Sequence, residues 1–318
     1  MWKIFIRPAM IFIPFGLGIA LQTAFRFSWE ADGVNLSAWG IRIALMAMFL
    51  QICLRIDVGE LKPKAEHFKI LFWNVFMGLA PYLILKSAGF DILALAAFFT
   101  GIAPTANAAP VVMGFLEGRV GFVLTGFAIT NLAVDILLVA ILPFIGGRPS
   151  AEFAWAVFTQ LFIVAGIPIA AACLLRKIYA PIKFYSAKFA MFNFSLWSFS
   201  LFIIASKAAE FFASAPSMPK SVVFEIAAVS MLICAANFAI GKFFVSKEFS
   251  RESSQTLGQK NTALAIFLAL VFGGANAPLA ALGPTFYVLW HNVWNAAQMY
   301  RHDKQKRLNP AAAKIGSS

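Results

Sequence analysis

Charge is what this chain has least of. Only 13% of its 318 residues are Asp, Glu, Lys or Arg, against 61% hydrophobic. A soluble domain of this length needs a charged skin, so the composition excludes one. Acidic residues are the scarcer sign, 14 against 26 Lys and Arg. The net charge of +12 would suit nucleic acid in a soluble protein, but here the charges fall between apolar stretches and in the tail. They read as topology signals and not as a groove for phosphates. Cysteine is nearly missing, and Cys53, Cys173 and Cys234 all lie inside apolar stretches. That excludes a disulfide framework and a cysteine metal site. No phosphate-binding loop, clustered His and Cys ligands or nucleophile elbow occurs, so neither an enzyme nor a cofactor or metal is expected.

What the chain does have is long apolar runs. Mean hydropathy is +0.80 with 35 phenylalanines, which predicts an all-α polytopic membrane protein in contact with a lipid bilayer. Ten spans are expected near residues 5–24, 34–54, 68–86, 89–117, 120–144, 155–176, 188–211, 221–243, 257–276 and 279–299. The first, preceded by Lys3 and Arg7, looks like a signal peptide but is better taken as a retained helix. With both termini cytoplasmic, nineteen basic residues fall on that side and six on the other, Lys260 apart. The positive-inside rule demands that asymmetry. The expected location is the inner (plasma) membrane.

Spans starting near 5, 34, 68 and 120 have counterparts near 155, 188, 221 and 279. The offset predicts a five-plus-five duplication with residues 1–150 as one repeat, 151–300 as the other and 301–318 as a basic cytoplasmic tail. Because five is odd, the second copy is inverted; evenly sized helices are the competing explanation. The fourth span contains APTANAAPVV at 103–112, whose two prolines remove backbone donors in an otherwise apolar helix. This is either a simple kink or an unwound segment at membrane depth, tolerated where protein or a polar cavity satisfies the freed backbone. The ninth span opens with QTLGQKNTALA at 255–265. Either Thr256 caps an ordinary helix there, or a helix begins near Lys247 and breaks around 258–261; the second option is favoured. Helices 4 and 9, both discontinuous and crossing, would aim half-helix amino termini at an anion and freed carbonyls at a cation.

Polar residues elsewhere have a place in that scheme. Asn131 and Asp135 lie four apart on one face of the fifth span, and Asp135 is the one acid near the middle of any span. The tenth span offers His291 and Asn292. Asn74, Gln160, Asn193, Ser198 and Asn237 either line a cavity or hold helices together. Lys260 is either a membrane-depth cation with Asp135 as its counter-charge or a side chain that snorkels to the surface.

Four segments, MFLQICLRIDVGEL at 48–61, APTANAAPVV at 103–112, LGQKNTALA at 257–265 and PTFYVLWHN at 284–292, resemble the bile acid:sodium symporter family. The resemblance covers nearly the whole chain. It implies a panel domain of spans 1, 2, 6 and 7 rocking against a core of spans 3–5 and 8–10, and sodium-driven uptake of organic anions. It puts Thr105 and Asn107 in the first crossover, Asn131 near a cation site, and Asn261 at a matching position of the second crossover. Together with the residues singled out above, the candidate substrate site is Thr105, Ala106, Asn107, Asn261, Thr262, His291 and Asn292, and the candidate ion-coupling set is Asn131, Asp135, Thr256, Gln259 and Lys260. Ala108 stands where the family commonly has asparagine, Thr256 where it has a glutamate shared by both sodium sites, and Lys260 where it has a glutamine ligand. An ammonium there repels sodium, so the expected activity is secondary transport of a small organic anion by alternating access, proton-linked or sodium-independent. A sodium symporter with altered ion sites, a channel and a membrane sensor are the alternatives. Nothing in the sequence sets the oligomeric state, and a monomer suffices.

Overall fold

In a computed structural model the described residues are 2–31, 34–55, 61–106, 108–147, 150–182, 190–214 and 220–308. They form helices joined by short connections, with one two-residue hairpin pairing Glu30–Ala31 with Val34–Asn35. The helices are α1 (Trp2–Phe25), α2 (Leu36–Arg55), α3 (Ala65–Ser87), α4 (Asp91–Ile102), α5 (Ala109–Phe115), α6 (Val120–Ile145), α7 (Ala151–Leu161), α8 (Ile167–Ile178), α9 (Ala190–Ser214), α10 (Lys220–Ile240), α11 (Ser250–Gly258), α12 (Thr262–Phe272) and α13 (Ala277–Leu308). Asn107, expected in the first break, lies outside the described residues, as does the tail beyond 308.

Among the described residues, four continuous stretches, Ala65–Ser87, Val120–Ile145, Ala151–Ile178 and Ser221–Val245, are long and apolar enough to cross a membrane. Shorter apolar helical segments include Ile13–Phe25, Trp39–Gln51, Asp91–Ile102, Ser198–Lys207 and Thr262–Phe272. The long stretches carry large exposed apolar side chains, among them Phe72, Leu83 and Ile84 of α3, Leu132 and Ile136 of α6, and Phe224 of α10. In a lipid environment such a surface is the solvated one, since every backbone group inside a helix is already paired. The stretch Ala151–Ile178 is continuous only through a π-helical turn at Phe162–Gly166. Pro168, just after it, has no N–H to donate to the preceding turn, and the widened turn absorbs the mismatch.

Both expected interruptions are present. The fourth apolar segment stops at Ile102 and restarts at Ala109, with Pro110 in the first turn of α5, where a missing donor costs nothing. The ninth is not one helix from 257 but two, α11 ending at Gly258 and α12 starting at Thr262. Thr256 is therefore no cap. It lies inside α11, its hydroxyl donating to Glu252 O at 2.7 Å. The cap is Asn261, whose Oδ1 accepts from Leu264 N at 3.2 Å. The last helix, α13, runs past residue 301 and ends at Leu308, so the first residues of the expected tail are helical.

The helices sort into neighbourhoods. α1 packs along α9, and α2 packs on α8 and α9; α3 packs along α4, and α13 packs on α4, α10 and α12. The largest apolar core joins Ile41, Leu45 and Phe49 of α2 to Phe127 and Leu138 of α6 and to Phe267 of α12. At the junction of α3 and α4, a Cβ on Gly101 would overlap the Met77 carbonyl. Only glycine lets the two backbones come that close, and the α4 break lies one residue beyond.

Candidate functional site

The two breaks meet backbone to backbone. Thr105 and Lys260 form an antiparallel bridge, with Ala106 N donating to Gln259 O at 2.8 Å and Asn261 N donating to Pro104 O at 2.7 Å. Each unwound segment thus satisfies donors and acceptors that the other loses, which is how non-helical backbone survives away from water. Helix α6 braces the junction from the side. Thr130 Oγ1 donates to Thr105 Oγ1 at 2.9 Å, Asn131 Nδ2 donates to Thr105 O at 2.9 Å, and Thr105 Oγ1 donates onward to Thr256 O at 2.7 Å.

Lys260 is 1% exposed, so it does not snorkel. Nor is Asp135 its partner: the ammonium donates to Asn74 Oδ1 and, at 3.0 Å, to Gly101 O. Asn74 in turn donates to Ile102 O at 2.9 Å. Lysine and asparagine together cap the carbonyl end of α4, where the break leaves acceptors without intrahelical partners and the helix dipole is negative. The expected counter-charge is supplied by a helix end instead of a carboxylate. Asp135 takes part in no ion pair among the described residues, and its Oδ1 is buried without a hydrogen-bond partner. Asn131 Oδ1, one turn away on α6, is likewise buried and unpartnered.

On the far side of α11, a row on α13 faces the second break. Tyr287 donates its hydroxyl to Gly258 O at 2.7 Å, and Asn295 Oδ1 accepts from Gln255 Nε2 at 3.2 Å. Gln255 also donates to Gln259 Oε1. His291 falls in this row, buried, edge-on to Tyr287 and with Nδ1 unpartnered. Asn292 does not, since it donates to Val288 O of its own helix at 2.7 Å. One residue of register from His291 turns Asn292 by about 100° around the helix, away from that row.

Of the expected residues, Thr105, Ala106, Thr256, Gln259, Lys260, Asn261, Thr262 and Asn131 therefore gather around the crossing. His291 flanks it through α11, Asp135 lies one turn further along α6, and Asn292 points elsewhere. The sequence reading misses Thr130 and assigns no definite role to Asn74 or Gln255. Their common signal is an amide or hydroxyl inside an apolar or buried helix, which must find a partner there. No protein-family model matches the chain, and no curated protein sequence matches it.

Proposed function

We propose that this chain is a secondary transporter that moves a small organic anion across the inner (plasma) membrane by alternating access. The fold reading that goes with it has ten spans in a five-plus-five inverted repeat, with both termini cytoplasmic. Helices α4–α5 and α11–α12 are its two discontinuous spans. The observation that carries the proposal is the antiparallel pairing of two interrupted helices inside an apolar bundle. Broken helices of this kind are where secondary transporters place ion and substrate sites. The packing of α1, α2, α8 and α9 with one another, and of α3, α4, α10 and α13 with one another, supports a panel moving against a core. It agrees with the resemblance to the bile acid:sodium symporter family.

In this reading Lys260 is a tethered cation that replaces a bound sodium. Its bonded groups carry no formal charge and the end of α4 offsets only part of its own, so the remainder is available to an anion at the crossing, and α12 begins there with its amino terminus capped by Asn261. Asp135 is the coupling group. A proton on its carboxyl would convert an acceptor without a partner into a donor, one turn from the unpartnered Asn131 Oδ1. The test is uptake of a panel of organic anions into proteoliposomes, with sodium and pH gradients imposed separately. Saturable accumulation that responds to pH and ignores sodium is expected. Non-saturating flux, or an absolute sodium requirement, would overturn the reading.

A further inference from the structure

A cavity of about 550 Å³ lies away from the crossing, where the amino-terminal ends of α3 and α6 converge. Its lining includes Lys62, Lys64, Arg119 and the single carboxylate Glu248, which pairs with Arg119 at 2.7 Å. Lys62 and Lys64 take part in no ion pair among the described residues. The floor is aromatic: Phe249 stacks on Phe122 with centroids 4.4 Å apart and planes 10° from parallel. Lys64 Nζ and Arg119 Cζ each sit 4.7 Å from the centroid of that same Phe249 ring.

Two observations point to an added anion. The first is that two cations are gathered over one ring, and that the lining as a whole sets Lys62, Lys64 and Arg119 against the one carboxylate of Glu248, which pairs with Arg119 alone; like-charge repulsion opposes that gathering. The second is position. Lys64 and Arg119 are the N-cap residues of α3 and α6, where a helix end favours negative charge. Glu66 in the first turn of α3 and Glu252, whose Oε1 accepts from Arg119 N at 3.0 Å, meet part of that preference, and neither lines the cavity.

We propose that the cavity binds a multiply charged oxyanion, a phosphate group above all, held between Lys62, Lys64 and Arg119 against the amino terminus of α6. The group belongs either to a soluble anion or to an anionic lipid headgroup. This site is separate from the crossing and does not depend on the transport proposal.

Binding to the purified full chain in neutral detergent tests it, with inorganic phosphate followed by calorimetry and phosphatidylglycerol by native mass spectrometry. The double variant K64Q/R119Q should weaken binding of at least one probe by about tenfold, the loss expected from two charge-assisted contacts. E248Q, which removes the competing carboxylate, should tighten it by about threefold. A gain cannot come from misfolding, so E248Q decides the matter if the double variant does not fold. Loss for phosphate alone assigns a soluble anion, and loss for phosphatidylglycerol alone assigns a headgroup. Binding of neither probe to the unmodified chain, unchanged affinity in folded K64Q/R119Q, or weaker binding in E248Q would each overturn the proposal. Gly16→Ala, whose added methyl meets nothing, should leave both affinities unchanged.

Discussion

The two half-helices that feed the crossing have opposite compositions. α4 is DILALAAFFTGI and α11 is SRESSQTLG, yet both are buried, α11 from Glu252 to Gly258. Their breaks also differ in cause. The first contains Pro104 and is followed by Pro110 in the first turn of α5, whereas the second contains no proline and is held by an asparagine cap and by pairing with the first. Burial in this chain therefore does not follow hydropathy. Apolar α4 could be buried in protein or in lipid without loss, but α11 tolerates burial only because protein groups meet its polar ones. Ser254 donates to Phe238 O at 2.8 Å, Glu252 Oε1 accepts from Arg119 N at 3.0 Å, and Gln255 joins the amide row of α13. A polar half-helix kept inside an apolar bundle needs a reason beyond stability, and the proposed anion site at its carboxyl end supplies one.

The comparison breaks most readily at Lys260, the side chain that ties the second break to the first. Lys260→Met should leave Asn74 Oδ1 and Gly101 O without their donor, at about 1–3 kcal/mol for each buried group, read as lower thermal stability in detergent. Lys260→Gln keeps a donor group but no charge, so it should fold better than the methionine variant while uptake still falls by about 100-fold. Full uptake by Lys260→Gln would show that the charge is only a strut for α4.

How much of this is legible beforehand follows the same division. The first break is written in side-chain types, because Pro104 and Pro110 announce where donors are missing. The second is readable from a polar run around Gly258 in an otherwise apolar segment, and its boundaries at Ser250 and Thr262 fall near those expected. Lys260's partner is not legible. Opposite charges in a sequence invite pairing by sign, which points to Asp135, but the acceptor it finds is a backbone carbonyl freed by the other break. Main-chain acceptors carry no sequence signature. The choice between His291 and Asn292 turns on helix register, and the row Tyr287, His291 and Asn295, spaced by four, favours His291 once the three are considered together.

A smaller effect is expected where α4 meets α3. Gly101→Ala places a methyl against the Met77 carbonyl, and since backbone cannot step aside, stability should drop by about 1–3 kcal/mol. Gly16→Ala, whose added methyl meets nothing, is the matched control and should be neutral or slightly stabilising. Equal melting temperatures for the two variants would mean that the close approach contributes nothing to holding the first break. Thr105→Val should cost about 1–2 kcal/mol, because it removes the hydroxyl that links Thr130 to Thr256 O. The apparent affinity for substrate should weaken with it, whereas a purely structural role would leave affinity unchanged in the folded fraction.

The least effect on stability, and the most selective effect on function, is expected at Asp135. Its Oδ1 and that of Asn131 are buried acceptors without donors, one turn apart on the helix that braces the first break. Asparagine at 135 has nearly the same shape and brings a permanent donor, so Asp135→Asn resembles the protonated acid and should change stability by no more than about 0.5 kcal/mol. If a proton on Asp135 couples transport to the pH gradient, the variant behaves as though always loaded. It should exchange anion across the membrane at every pH but fail to accumulate it against a gradient. The unmodified chain should accumulate anion when the proton gradient favours loading from the uptake side, and sodium should not substitute for it. An unchanged pH profile in Asp135→Asn, measured by accumulation and by exchange in the same vesicles, would remove Asp135 from coupling and leave Lys260 as a fixed cation in a carrier that only equilibrates its substrate.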